Sequence, residues 1–80
     1  MSDFQYMVEC TTRDLINILV ERDGMEMQEA IDLVYTSNTF RHLQDEHTGL
    51  YFQSPLYVYE TLMEERKRNA LTLHAAQDAP

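Results

Sequence analysis

The first quarter of the chain carries the pattern that most constrains the fold. Between Asp3 and Asp23, residues that suit a buried or half-buried surface recur every three or four positions, which places them on one face of an α-helix. This face comprises Phe4, Met7, Val8, Thr11, Leu15, Ile18, Leu19 and Arg22. Gly24 follows, and glycine commonly occupies the position just after a helix end. The spacing therefore predicts a long amphipathic helix over residues 3–23.

The first half of this segment also supports an alternative. Every second residue from Phe4 to Cys10 is apolar or aromatic, as in a half-buried β-strand. Thr11 and Asp14 then have the spacing of a capping box, which would start a shorter helix there. Residues 4–10 thus stay open between helix and strand, and we favour the long helix.

The second half of the predicted helix has an apolar surface wider than one stripe. Ile16 and Val20 lie beside the stripe formed by Leu15, Ile18 and Leu19. One neighbouring helix does not cover such a surface. We therefore expect either several helices around it or a second copy of the chain against it.

Further helices are predicted after Gly24. One helix face is formed by Met27, Ala30, Ile31, Val34 and Tyr35. Thr36-Ser37-Asn38 supplies side chains that cap helix ends, and residues 39–44 predict a short helix that points Phe40 and Leu43 inward. Residues 45–49 are predicted to form a turn.

The last third of the chain predicts a connector and a final helix. Leu50-Tyr51-Phe52 is short, bulky and strand-like, so we expect an extended connector pressed onto the core. Ser54-Pro55 predicts a helix start, because serine is a favoured N-cap and proline fits the first helical position. The buried face of this helix is predicted to be Val58, Tyr59, Leu62 and Met63. Residues 77–80 are predicted to be a flexible tail.

Together these elements predict an all-α fold in a single domain over residues 1–76. It is a small bundle of three main helices plus one short helix, with the extended connector before the last helix. The chain of 80 residues is too short to enclose a deep substrate cavity and still keep a core. The predicted core is Leu15, Leu19, Ile31, Val34, Phe40, Leu43, Leu50, Phe52, Tyr59 and Leu62.

Charge and cysteine content restrict the partners and the compartment. Six Lys and Arg against fourteen Asp and Glu give a net charge of −8, which repels nucleic acids and anionic membranes. We therefore expect no nucleic acid and no membrane as partner. The single Cys10 cannot form an intrachain disulfide and no leader-like segment begins the chain, so the expected location is cytoplasmic.

No group of residues predicts a catalytic, cofactor or metal site. His42, Asp45 and His47 lie close in sequence, but their spacing matches no established metal-binding pattern. No histidine is placed near Cys10 to activate its thiol. The helix after Gly24 carries acidic residues where a DNA-recognition helix carries basic ones. We expect a protein that is not an enzyme and holds no cofactor or metal.

Aromatic residues are concentrated around the middle of the chain. Six of them fall between Tyr35 and Tyr59, and core packing is their first explanation. The alternative is a protein-binding rim, for which tyrosine is well suited. The candidate interaction residues are Ile16, Val20, Tyr51, Gln53 and Tyr57.

The segment from Glu29 to Glu64 resembles a set of short uncharacterised helical proteins of gut bacteria. The likeness lies in Ala30 to Ser37, in Phe40 with Leu43, in Thr48 to Pro55 and in Tyr57 to Tyr59. The chain is also distantly similar to small domains encoded near toxin–antitoxin-like genes. The resemblance implies a bacterial helical protein with no assigned chemistry, so no catalytic residue is carried over.

These observations predict a non-enzymatic protein–protein interaction module. We expect it to form a homo-oligomer, in the simplest case a homodimer, through apolar and Tyr-rich helix surface, with another bacterial protein as a further partner. The alternative is an acidic, antitoxin-like or regulatory partner of a basic protein.

Overall fold

The computed structural model describes the backbone of residues 3–78 and the side chains of residues 3–70, and these form an all-α fold. Helix α1 spans Asp3–Asp23, α2 spans Met27–Tyr35, α3 spans Asn38–Leu43 and α4 spans Pro55–Asp78. Two 3-10 turns, Glu46–Thr48 and Leu50–Phe52, connect α3 to α4. Within the described backbone there is no strand. The predicted bundle of three main helices and one short helix is confirmed.

Helix α1 is continuous, so the strand alternative for residues 4–10 is wrong. Val8 is buried in the core, and its carbonyl oxygen accepts a hydrogen bond from the Thr12 hydroxyl at 2.7 Å, one helical turn away. The helix therefore runs unbroken through the point where a capping box would have started a new one. Gly24 ends it in the left-handed region at φ +68°, and the Met25 N–H donates to the Leu19 carbonyl at 3.1 Å.

The core lies where α1 packs against α2, α4 and the second 3-10 turn, with α3 packed on α4. Its buried apolar residues are Val8, Leu15, Leu19, Ala30, Val34, Leu43, Leu50, Val58 and Leu62. Six predicted core residues are among them, namely Leu15, Leu19, Val34, Leu43, Leu50 and Leu62. Ile31, Phe40 and Tyr59 are half-buried at its edge. The molecule measures only 18 Å in its shortest dimension, which is about two helix diameters, so the bundle is two layers thick.

The connector before α4 is not extended as predicted. Gly49 adopts the left-handed region at φ +69°, and Leu50–Phe52 then forms a 3-10 turn. In an extended strand, residues 50 and 52 would face the same side, whereas three residues per turn point three side chains in different directions. Leu50 is consequently buried, while Phe52 is 69% exposed. The prediction that Phe52 belongs to the core is wrong.

Helix α4 begins as predicted. The Ser54 hydroxyl accepts a hydrogen bond from the Tyr57 N–H at 3.2 Å, and Pro55 is the first helical residue. Val58 and Leu62 are fully buried against α1. The helix continues to Asp78, through the first two residues of the predicted tail, and residues 79–80 lie outside the described part of the chain.

A buried carboxylate on α4 holds the N-terminus of α3. Oε1 of Glu65 accepts hydrogen bonds from the Thr39 N–H at 2.8 Å and the Thr39 hydroxyl at 2.7 Å, and Oε2 accepts one from the Asn38 N–H at 2.9 Å. Burial alone would raise the pKa of this carboxyl. The hydrogen bonds donated by Asn38, Thr39 and Asn69 lower it by more, so the pKa of Glu65 lies below its ordinary value.

This lowered pKa predicts a loss of stability in acid. At a pH between the folded and the unfolded pKa of Glu65, the unfolded chain binds more protons than the folded chain. The stabilisation by the Glu65 carboxylate is therefore complete above its unfolded pKa of about 4.3, and it is lost as the pH falls through the folded pKa. Glu65→Gln should lower the free energy of unfolding by about 2 kcal/mol at pH 7, and this deficit should shrink at pH 3. Urea unfolding of both proteins across this range measures it, with Glu64→Gln as control. A deficit that stays constant from pH 7 to 3 would contradict the assignment.

Candidate protein-binding groove

An apolar groove lies between α1 and α2 and ends against α3. Its volume is about 490 Å³. Its lining consists of Val8, Glu9, Thr12, Arg13, Ile16, Asn17, Met27, Ile31, Tyr35, Phe40 and Gln44. Most of the groove surface is therefore contributed by aliphatic and aromatic side chains, with polar side chains along one edge.

Two helical rows form the walls of the groove. On α2, Met27, Ile31 and Tyr35 recur every four residues and so lie above one another on one side of the helix. Ala30 and Val34, one position away, are buried against α1. Helix α2 therefore packs with one edge of its apolar face and leaves the other edge open. Met27 is 49% exposed and Tyr35 is 54% exposed, although both belong to the apolar face predicted for this helix.

The opposite wall is built by α1. Val8, Thr12 and Ile16 share its inner side, while Glu9, Arg13 and Asn17 form the outer rim. The Thr12 hydroxyl is already bonded to the Val8 carbonyl. Among the described side chains, every buried nitrogen or oxygen atom has a hydrogen-bond partner. The floor of the groove thus suits apolar side chains and offers no unsatisfied polar atom to a polar ligand.

The groove continues toward the start of α1. A second depression of about 380 Å³ is lined by Phe4 and Gln5 together with Val8, Glu9 and Gln44, the last three of which also line the main groove. The Phe4 ring meets the Tyr51 ring edge-on, with centroids 4.7 Å apart. Tyr51 in turn lies against Phe52 at 4.2 Å. A chain of aromatic rings therefore leads from the groove to the exposed Phe52.

The residues predicted to mediate interaction are dispersed. Ile16 is half-buried and lines the groove, Val20 is half-buried against the core, and Tyr51 is half-buried between Phe4 and Phe52. Gln53 is exposed just after the second 3-10 turn. Tyr57 is 51% exposed and lines a separate depression with Arg22 and Tyr59. Neither the groove nor either of these two depressions is lined by more than one of the five predicted interaction residues.

Sequence reasoning missed three exposed apolar residues at this site: Met27, Tyr35 and Phe52. The eight-residue spacing of Met27 and Tyr35 around Ile31 did indicate a common face, but it could not tell which part of that face is covered. For Phe52 the error came from the conformation assumed for the connector.

The end of α1 and the start of α4 are joined by a polar contact beside the Tyr57 depression. The Tyr59 hydroxyl donates to the Asp23 carboxylate, with both carboxylate oxygens at 3.0 Å. Arg22 lies 5.4 Å from the centre of the Tyr59 ring. Desolvation and the neighbouring Asp23 raise the pKa of Tyr59. The Tyr59 hydroxyl and the Asp23 carboxylate are thus paired with each other, and this contact offers no reactive group.

The residues considered above as catalytic or metal-binding candidates do not form a common site. His42 and His47 are exposed, and the Asp45 carboxylate accepts a hydrogen bond from the His47 N–H at 3.0 Å, which caps the first 3-10 turn. Cys10 is a free, half-buried thiol on α1. Among the residues that the structure describes, no three His, Cys, Asp or Glu side chains converge as metal ligands.

Among the residues that the structure describes, no helix combines the length and the apolar character needed to cross a bilayer.

Comparisons of the chain with protein-family models, curated proteins and solved structures give no match. The resemblance to short helical proteins of gut bacteria therefore stays a prediction.

Proposed function

We propose that this protein is a non-enzymatic protein-interaction module that associates with itself through the groove between α1 and α2 and the apolar surface next to it. The open groove, flanked by the exposed Met27 and Tyr35, carries the proposal. Large apolar side chains that border a concave surface are typical of interaction sites. We continue to predict that the protein is bacterial and cytoplasmic.

The exposed area supports a second copy of the chain as the occupant. The chain exposes 5694 Å², against roughly 5000 Å² for a compact monomer of 9.4 kDa. The shape is flat and elongated, 50 × 30 × 18 Å, and such a shape has more surface than a sphere of the same mass. Each partner in a standard protein interface buries about 800 Å². One dimer contact would therefore remove an area similar to this excess.

Self-association should strengthen with salt and weaken when Tyr35 is removed. Screening reduces the repulsion between two chains of net charge −8, so the dimer dissociation constant should fall between 20 mM and 500 mM NaCl. Tyr35→Ser should raise the dissociation constant by roughly tenfold or more. Sedimentation equilibrium measures both effects, with Tyr6→Ser as the matched control because Tyr6 is exposed on α1 and does not line the groove.

Three outcomes would contradict the proposal. The first is a monomeric wild-type protein at every concentration up to about 1 mM, which would exclude association in the range of known weak interfaces. The second is an equal loss of association in the Tyr6→Ser and Tyr35→Ser variants. The third is association that weakens as salt is added.

A second candidate function, an antitoxin-like or regulatory partner of a basic protein, is favoured by the acidic surface of α2. Glu26, Glu29 and Asp32 are all exposed there, and Asp32 is engaged by the uncharged Gln28 amide at 3.0 Å. Binding to a basic partner would weaken as salt is added, which is opposite to the behaviour expected of self-association. The salt series therefore separates the two candidates.

A further inference from the structure

Phe52 is an exposed aromatic side chain on a hydrogen-bonded backbone turn. The turn is closed by hydrogen bonds from the Phe52 N–H to the Gly49 carbonyl at 3.1 Å and from the Gln53 N–H to the Leu50 carbonyl at 3.0 Å. Stacking on Tyr51, which is itself held by Phe4, restrains the ring. A ring fixed in this way loses little conformational entropy when it binds. Phe52 therefore forms a preorganised apolar projection, which we call the Phe52 knob.

The groove between α1 and α2 has the size and the chemistry to receive this knob. A cavity of about 150 Å³ is enough for one benzene ring, so the groove has roughly the room of three such rings. Its walls offer Ile16, Met27 and Tyr35 to an aromatic ring. Methionine sulfur and tyrosine rings both form favourable contacts with aromatic side chains.

The positions of knob and groove on the molecule favour a closed dimer. A knob and a complementary groove on opposite sides of a protein would link copies head to tail into a filament. Here the aromatic chain of Phe52, Tyr51 and Phe4 ends at the depression that continues the groove. Knob and groove are thus connected along the surface through this depression, which Phe4 and Val8 line together with three polar residues, and two copies can exchange knobs around a two-fold axis.

The apolar area fits an interface of this kind. Met27, Tyr35 and Phe52 are large side chains that are each about half exposed or more. A large apolar or aromatic side chain can bury 150–250 Å², so the three expose on the order of 300 Å² on each copy. The half-buried groove residues and the polar rim of α1 add to this area. The two contacts of the dimer therefore remove on the order of 600 Å² of large apolar side chain from water, and with the polar rim this corresponds to a small, weak interface.

We propose that the protein forms a two-fold dimer in which the Phe52 knob of each copy inserts into the groove of the other, against Ile16, Met27 and Tyr35. This inference rests on the proposed function and specifies its geometry. Every dimer then contains two identical contacts, and each contact uses the knob of one copy and the groove of the other.

A pair of charge variants tests this arrangement. Phe52→Lys places a cation on the knob, and Met27→Glu places an anion at the groove, both at sites that are exposed in the single chain. Because both contacts are damaged in either variant alone, the dissociation constant of each should rise by roughly 100-fold or more. Sedimentation equilibrium gives the constants, and circular dichroism checks that each variant keeps its helix content.

Mixing the two variants provides the decisive measurement. In the mixed dimer, the intact knob of the Met27→Glu chain meets the intact groove of the Phe52→Lys chain, and the substituted knob and groove carry opposite charges. An equimolar mixture should therefore associate at least tenfold more tightly than either variant alone. Tyr57→Lys is the matched control, since it replaces another half-exposed aromatic ring outside the groove with the same charge change.

The outcomes distinguish failure of this inference from failure of the proposed function. A wild-type monomer at every concentration overturns both. A wild-type dimer that is unaffected by Phe52→Lys, or that is weakened equally by Tyr57→Lys, overturns only the exchange of knobs. A mixture that associates no better than its components also overturns it. Photo-crosslinking from a benzophenone at position 52 should label the groove of a second copy, and labelling elsewhere would count against the proposal.

Discussion

Replacing Glu65 by alanine should lower the free energy of unfolding by about 3 kcal/mol. The carboxylate is the acceptor for the backbone N–H groups of Asn38 and Thr39 and for the Thr39 hydroxyl. Thr39 is only 2% exposed, so water cannot take over these bonds without local opening. A buried donor without a partner costs about 1–3 kcal/mol, and several are created at once. Part of this loss of stability is offset, because the alanine variant no longer has to bury the charge of the Glu65 carboxylate.

Urea unfolding at pH 7 measures this loss. Glu64→Ala is the matched control, because it removes the same charge from the neighbouring position on α4, where the side chain is exposed. We expect the control to change stability by less than about 0.5 kcal/mol. Equal losses in the two variants would show that Glu65 acts only through net charge. Amide hydrogen exchange should also accelerate at Asn38 and Thr39 in Glu65→Ala and not in the control.

Replacing Leu62 by alanine should cost about 3 kcal/mol. Leu62 is fully buried on α4 within the core that α1 and α4 share, and a Leu to Ala change in a core costs 2–5 kcal/mol through lost transfer energy and the cavity left behind. A domain of 80 residues has a total stability of only about 5–10 kcal/mol. This one substitution should therefore remove about a third to about three fifths of the total stability.

The same helix provides the control for Leu62. Leu56 lies on α4 as well, about one and two-thirds turns earlier, and is 47% exposed. Leu56→Ala deletes the same atoms and should cost less than about 1 kcal/mol. Thermal and urea unfolding of both variants give the comparison. Similar losses at the two positions would mean that Leu62 is not packed as the structure describes.

Local signals in the sequence were sufficient to predict the helices. Gly24 and Ser54-Pro55 mark the end of α1 and the start of α4, because a left-handed glycine and a serine cap act on the residues next to them. The connector was mispredicted because bulky residues such as Leu50 and Phe52 are compatible with either a strand or a 3-10 turn. The left-handed Gly49, together with the hydrogen bonds that follow it, decides between them.

The candidate site was harder to predict than the fold. Helical spacing correctly grouped Met27, Ile31 and Tyr35, but how much of their face is covered depends on where α1 and α3 lie in space. Ile16 was correctly singled out by the excess width of the apolar surface on α1. Glu65 gave no signal, because its partners at Asn38 and Thr39 are 27 and 26 residues earlier in the chain. Contacts of this kind arise from tertiary packing and leave no periodic pattern.

The dependence of α3 on Glu65 has a consequence for the order of folding. A helix of six residues is too short to be stable by itself in water, and the group that holds its N-terminus is synthesised after it. As the chain leaves the ribosome, α1 and α2 can pair first, whereas the hydrogen bonds between Glu65 and α3 can form only after the middle of α4 has emerged. The bundle is therefore completed from its C-terminal half, and a nascent chain that stops before residue 65 lacks the group that locks its third helix in place.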